Sequence, residues 1–296
     1  MKKTIINMAG DHGVVAEGVS AFPQEVTPQM VINFVQGGAA INVLSRQAGA
    51  NLVFVDIGVA TDLPMIPEII NKKIAYGTQN MCKGPAMTLE HAVKALETGI
   101  EIAWDCIKEG TQLIGVGEMG IGNTTPSTAI IAAYSGKTIE ELTGRGTGID
   151  DKRLQIKIDV IKKALHKNNP DISNALDVLS KVGGYEIAGL AGVMIGAAAK
   201  KVPIIIDGFI SGAAAVIAVK LNPLIHDYLI ASHLSSDPGH KAILEFLNLE
   251  PMIVMDMRLG EGTGAALAMM LVDAGINVLS EMATFAEAGV SGAKVK

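Results

Sequence analysis

Five short runs of β-branched and aliphatic residues, at 4–8, 52–57, 112–116, 202–206 and 252–257, each end in a glycine-bearing loop and lead into a helical pattern. Runs without polar alternation suit strands buried on both faces. Their repetition with helices between them predicts an α/β fold, a Rossmann-like parallel sheet flanked by helices. Apolar residues recur at helical spacing over 88–107, 151–165 and 264–274, which predicts amphipathic helices there. Ligands of open parallel sheets bind beyond the carboxyl ends of the strands. The loops expected to carry chemistry are therefore 9–27, 115–125, 207–212 and 258–264. No low-complexity linker or internal repeat divides the chain, and the polar, turn-rich residues 168–184 are the expected subdomain junction.

The most apolar region, 187–219, reads as buried helices around a buried strand. Lys200 and Lys201 interrupt it, Asp207 sits in its second half and glycines punctuate both halves, whereas a spanning helix needs about 20 predominantly apolar residues. The apolar part of the N-terminus is too short for a signal peptide. With 24 basic against 30 acidic residues and no basic patch interleaved with aromatics, nucleic acid is not an expected partner. Cys82 and Cys106 have no metal or disulfide spacing. These features predict a reduced, cytoplasmic protein.

Residues 115–129, Gly-Val-Gly-Glu-Met-Gly-Ile-Gly-Asn-Thr-Thr-Pro-Ser-Thr-Ala, read as strand, glycine loop and helix start. Four glycines let backbone N–H groups converge, and Asn123, Thr124 and Thr125 can cap the helix, so the segment suits an anion, most often phosphate. Residues 115–120 also match G-x-G-x-x-G. A dinucleotide site further requires an acidic residue after a second strand, and here Glu140 and Glu141 fall in a polar helical stretch instead. A structural glycine turn is the plain alternative. Gly144, Gly146 and Gly148 offer a second close-approach loop before a helix containing Lys157, a residue that on its own reads more often as a solvated surface lysine. Asp207 ends an apolar strand, either to accept a ribose hydroxyl or to cap a helix.

Asp11-His12 and the Ser/His/Asp-rich residues 232–240 raise a metal hydrolase or a Ser-His-Asp triad, but neither ligand spacing nor a nucleophile elbow is present. Ser235 is read instead as a hydrogen-bond donor lining a pocket. Glu261, in Arg258-Leu259-Gly260-Glu261-Gly262-Thr263-Gly264, follows a strand and precedes an apolar helix. Partial burial would raise its pKa toward that of a usable base, while the bland reading is a glutamate favoured by a helix N-terminus.

Six segments together closely resemble one family, nicotinate-nucleotide:dimethylbenzimidazole phosphoribosyltransferase, and the likeness runs through nearly the whole chain. They are Ala9-Gly10-Asp11-His12-Gly13-Val14, Gly37-Gly38-Ala39-Ala40-Ile41-Asn42, residues 118–125, residues 144–148, Asp207-Gly208 with 235–240, and residues 259–264. The resemblance implies that Glu261 is the general base and that Glu118, Met119, Leu259, Ser20 and Gln24 hold the attacking base. It implies a nucleotide held by Gly120, Gly122, Asn123, Thr124, Lys157, Asp207, Gly208 and Ser235. It also implies a homodimer in which the partner chain contributes to the pocket. Family members usually carry several dozen residues before the first strand. The expectation here is one α/β domain over 1–296 whose small helical subdomain comes from inserted and C-terminal helices.

The implied reaction transfers ribose 5-phosphate from nicotinate mononucleotide to 5,6-dimethylbenzimidazole or a related base. A pyridinium leaves as a neutral ring and needs no acid, so one carboxylate base suffices, and neither metal nor cofactor is expected. The competing readings are a nicotinamide-dependent dehydrogenase and a non-catalytic nucleotide-binding regulator.

Overall fold

The computed structural model describes residues 1–292. Its centre is a parallel sheet of β1 (Lys3–Gly10), β2 (Ala50–Gly58), β3 (Ile69–Asn71), β4 (Leu113–Met119), β5 (Ile204–Ile206) and β6 (Leu229–Ala231). The strands lie in the order β3-β2-β1-β4-β5-β6. That order reverses between β1 and β4, so the chain leaves these two strands in opposite directions and opens a crevice at their carboxyl ends. Every residue of β1 is buried, the aliphatic ones as its largely apolar run requires and the polar Lys3, Thr4 and Asn7 with them.

Alternate residues serve two cores, following the two-residue period of a strand. Ile6, Met8, Ile114, Val116, Ile204 and Ile206 face a large core shared with helices Leu89–Lys108, Tyr185–Ala199 and Phe209–Leu221. Ile5, Leu113 and Ile205 face a smaller one, with Phe34, Ile41 and Met269 from helices Val26–Val35, Ala40–Ala48 and Thr263–Glu281. The apolar region around 187–219 is thus two buried helices, before and after β5 in the chain, both packed in the large core. By length and composition alone Thr263–Glu281 could cross a membrane. Its first turns are instead packed on the sheet, with Ala265, Ala266, Ala268 and Met269 fully buried.

Three features differ from the sequence expectation. The run at 252–257 forms β8 (Ile253–Met257), which pairs not with the main sheet but with β7 (His233–Ser235) in a two-stranded parallel sheet. It is largely exposed there, so its apolar run does not reflect burial within this chain. The strands β3, β6 and β7 have only three residues each, too few to carry a pattern. Residues 168–184 are not a junction between subdomains: Asn174 caps helix Ala175–Val182, whose Val178, Leu179 and Val182 lie in the large core. The last four residues of the expected 1–296 domain fall outside the described residues.

Helices Leu89–Lys108 and Tyr185–Ala199 cross at glycines, and a Cβ on Gly99 would stand 1.9 Å from the Gly189 carbonyl oxygen. Helix propensity alone would favour Gly99→Ala. The clash instead predicts a loss of about 1–3 kcal/mol. Urea unfolding measures it, and an unchanged midpoint would contradict this packing.

Candidate active site

The crevice is a cavity of about 830 Å³ walled by five loops, at 118–124, 143–147, 207–211, 233–238 and 258–261, with Phe22, Val26 and Met30 closing one side. Ten of the residues singled out in the sequence line it: Glu118, Met119, Gly120, Asn123, Thr124, Asp207, Gly208, Ser235, Leu259 and Glu261. Gly122, Lys157, Ser20 and Gln24 are not on its wall. The Ser20 hydroxyl accepts the Phe22 N–H at 3.1 Å, and it is the Phe22 side chain that reaches the cavity from this segment. Lys157 is buried behind the wall and donates to Thr124 Oγ1 at 2.7 Å and to the Gly144 carbonyl at 3.1 Å. Burial pushes its ammonium down to about 8, so at neutral pH it remains mostly charged. It braces the two glycine loops together. Arg145, Arg258 and His233, which the sequence places in three of the singled-out segments without giving them a role, also line the cavity.

The glycines of 115–122 divide into two roles. Gly115 and Gly117 lie inside β4, not in the loop after it. A Cβ on Gly115 would fall 2.9 Å from Met269 Cε, and one on Gly117 would fall 2.6 Å from the Glu261 carbonyl oxygen. These two therefore admit helix Thr263–Glu281 and its preceding turn against the sheet. Gly120 and Gly122 shape the loop itself, Gly120 against the Gly10 carbonyl and Gly122 at a φ of 88°. Helix Thr124–Ser135 has no side-chain cap, because the Asn123 amide is turned to donate to Glu118. Its N-terminus, with Thr124 on the cavity wall, is open to an anion.

Asp207 takes up the second of its two sequence readings. Its Oδ1 accepts the Gly264 N–H at 2.6 Å and the Ala265 N–H at 3.2 Å, and its Oδ2 accepts the Gly262 N–H at 3.1 Å. These bonds cap helix Thr263–Glu281 and offset the burial of the carboxylate. Beside it, Ser232 donates to the Asp207 carbonyl at 2.7 Å and lies 2.9 Å from His233 Nδ1. His240 Nδ1 accepts the Ser235 N–H at 2.9 Å, and burial pushes the ring down to about 3, so it is neutral. The histidines and serines of 232–240 thus brace the loop. Asp11 and His12 are likewise engaged internally, His12 with Glu186 at 2.6 Å and Asp11 accepting the Ala60 N–H at 2.8 Å.

Glu261 is the strained residue of the site. Its φ is 65°, between Gly260 at 82° and Gly262 at 88°, and a left-handed glutamate costs about 1–3 kcal/mol. The backbone amide of Ile41, at the start of helix Ala40–Ala48, favours the charged form of its carboxyl, which gives the Gly37–Asn42 segment a role its sequence did not disclose. Glu261 Oε2 is buried without a partner. Burial raises its pKa, Asp207 adds to the rise, and the Ile41 amide opposes it. Glu118 lies close by, since a Cβ on Gly260 would stand 2.6 Å from its Oε1. Burial first, then the charges of Asp207 and Glu186, push Glu118 up to about 8. Near neutrality the pocket therefore holds one mostly protonated carboxyl and, across Gly260, a second with an unpartnered oxygen. Environments that separate two carboxyls in this way assign them different tasks.

Residues 1–290 match a family model described as Phosphoribosyltransferase. The chain is 58% identical over 290 residues to the nicotinate-nucleotide–dimethylbenzimidazole phosphoribosyltransferase of Desulforamulus reducens, covering 98% of this chain and 83% of that protein. It is 57% identical over 293 residues to the protein of the same name from Chloroflexus aggregans, covering 99% and 83%. The crystal structure of CobT from Thermus thermophilus superposes with a TM-score of 0.95 at 45% identity, over 99% of this chain and 87% of that one.

The protonation of Glu118 is directly measurable. Difference infrared spectroscopy at neutral pH is expected to show a carboxylic-acid carbonyl band that Glu118→Gln removes and that titrates with a midpoint of about 8. A Glu118 that is already ionised at neutral pH would contradict the electrostatics derived above.

Proposed function

This chain belongs to the nicotinate-nucleotide–dimethylbenzimidazole phosphoribosyltransferase family, and on that premise we propose how its site works. The protein is a pentosyltransferase. It transfers the ribose 5-phosphate of nicotinate mononucleotide to 5,6-dimethylbenzimidazole, giving α-ribazole 5′-phosphate and nicotinate. The observation that carries the mechanism is the buried, unpartnered Oε2 of Glu261 in a cavity with an apolar wall on one side and glycine loops on the other.

In this reading Phe22, Val26, Met30, Met119 and Leu259 sandwich the flat benzimidazole, and Glu118 borders it as a neutral acid. The ribose phosphate lies against Gly120, Asn123, Thr124, Gly208 and Ser235. Lys157 stiffens the loops behind it, while Arg145 and Arg258 supply cations at the wall. One benzimidazole nitrogen donates its lone pair to the anomeric carbon as the bond from that carbon to the pyridinium nitrogen breaks. The bonding pair goes to nicotinate, which leaves as a neutral ring and takes up no proton. The proton on the other benzimidazole nitrogen passes to Glu261. A single displacement inverts the β-nucleotide to an α product. The remaining contribution is holding two reactants in line, away from water.

A dehydrogenase reading is disfavoured by Gly115 and Gly117, whose space is filled by helix Thr263–Glu281 and its turn rather than left for a pyrophosphate. We also propose a homodimer. Met252, Val254 and Met255 around β8, and Leu271, Val278 and Leu279 on helix Thr263–Glu281, are exposed apolar residues whose cover by a partner favours association. The three helices over the smaller core serve as the small helical subdomain, and two buried free cysteines fit a reducing, cytoplasmic setting.

Glu261→Gln is expected to lower turnover by about 10²–10⁴-fold while leaving nicotinate mononucleotide affinity within a few-fold of wild type. Steady-state kinetics with calorimetric binding measure both quantities. Unchanged turnover would remove Glu261 from the base role.

A further inference from the structure

Asn7 is a polar residue in the middle of β1, 1% exposed, with the apolar Ile5, Ile6, Met8 and Ala9 around it in the strand. Burying an amide there is costly unless it is bonded. Its Nδ2 donates to the main-chain carbonyl of Glu261 at 3.1 Å, reaching from the centre of the sheet to the turn over it. The register makes this possible. Asn7 pairs with Gly117 on β4, and the missing side chain at Gly117 is the space into which the Glu261 backbone descends.

Glu261 holds a left-handed φ of 65°, a conformation that persists only where the surroundings enforce it. From the following side, Asp207 binds the N–H groups of Gly262, Gly264 and Ala265. From below, Asn7 binds the carbonyl of Glu261 itself. Without that bond the turn is free to relax at the Glu261 Cα out of the left-handed region, a change of backbone torsion that re-aims its side chain away from the cavity.

We propose that Asn7 is a positioning residue that holds the Glu261 backbone in its strained conformation and so aims the carboxylate at the attacking base. The proposal rests on Glu261 being the proton acceptor. Asn7 touches neither substrate, so its effect falls on turnover rather than on binding. A misplacement of about 1 Å costs about 100-fold in rate, which sets the scale of the effect.

The test is a double-mutant cycle of Asn7→Leu and Glu261→Gln, reading kcat and the KM for nicotinate mononucleotide. Asn7→Leu is expected to lower kcat about 100-fold with KM unchanged. Adding it to Glu261→Gln is expected to cause no further loss, because the group it positions is already gone. The proposal is overturned if the two losses multiply, or if Asn7→Leu raises KM and leaves kcat intact. A Glu261→Gln enzyme with wild-type turnover would instead overturn the base assignment, so the two failures are distinct. Should Asn7→Leu not fold, Asn7→Ala, which adds no bulk to the strand, enters the same cycle with the same expected and contrary outcomes.

Discussion

Helix Thr263–Glu281 reaches the sheet where β4 has no side chains, at Gly115 and Gly117, and this close approach sets the geometry of the site. It brings the turn before the helix down onto the central strands. Asp207 then fixes that turn by accepting three of its N–H groups, so the end of β5 and the start of the helix are tied across the mouth of the crevice. Glu261 lies in the tied turn, strained at its backbone and unpartnered at one carboxyl oxygen. Dispersion and burial along Ala265, Ala266, Ala268 and Met269 offset the strain. The stability of the small core and the readiness of the base are thus one physical fact.

Three of the carboxyls lining the crevice, Glu118, Asp207 and Glu261, stay together because each is handled differently. Asp207 is held among backbone donors, Glu118 gives up its charge to burial and to its neighbours, and Glu261 is left with one unpartnered oxygen. A neutral Glu118 spares Glu261 a second nearby negative charge. The nucleotide side contrasts with this: glycine loops, an uncapped helix N-terminus and a buried ammonium behind them favour negative charge. The cavity is therefore divided into a half suited to a flat, neutral base and a half suited to an anion.

Much of the fold is legible in the sequence because strands buried on both faces are written as largely apolar runs without polar alternation, as in β1, β4 and β5. The strands β3, β6 and β7 are too short to stand out, whereas β5, equally short, lies in the apolar run 202–206, and β8 carries an apolar run for an exposed surface. The site is legible where chemistry is local, as in the loops around Glu118, Asp207 and Glu261. It is not legible where a residue's reason lies elsewhere in the chain. Gly115 and Gly117 resemble a phosphate loop and in fact admit a distant helix. Asp207 is ambiguous without the helix it caps. Ile41 and Asn7 have no signal beyond an amide at a helix start and one polar residue in an apolar strand. Ser20 and Gln24 flank Phe22, the residue that reaches the cavity, and an offset of two positions is invisible in sequence.

The central claim is a displacement that needs both substrates together, with Glu261 taking the proton of the attacking base. It is tested most directly by incubating the protein with nicotinate mononucleotide, with and without 5,6-dimethylbenzimidazole. Nicotinate release and the configuration of the nucleotide product are the quantities to follow. The account predicts nicotinate only when the base is present, in equal amount with α-ribazole 5′-phosphate. Nicotinate released at the same rate without the base, or a β-configured product, would contradict it.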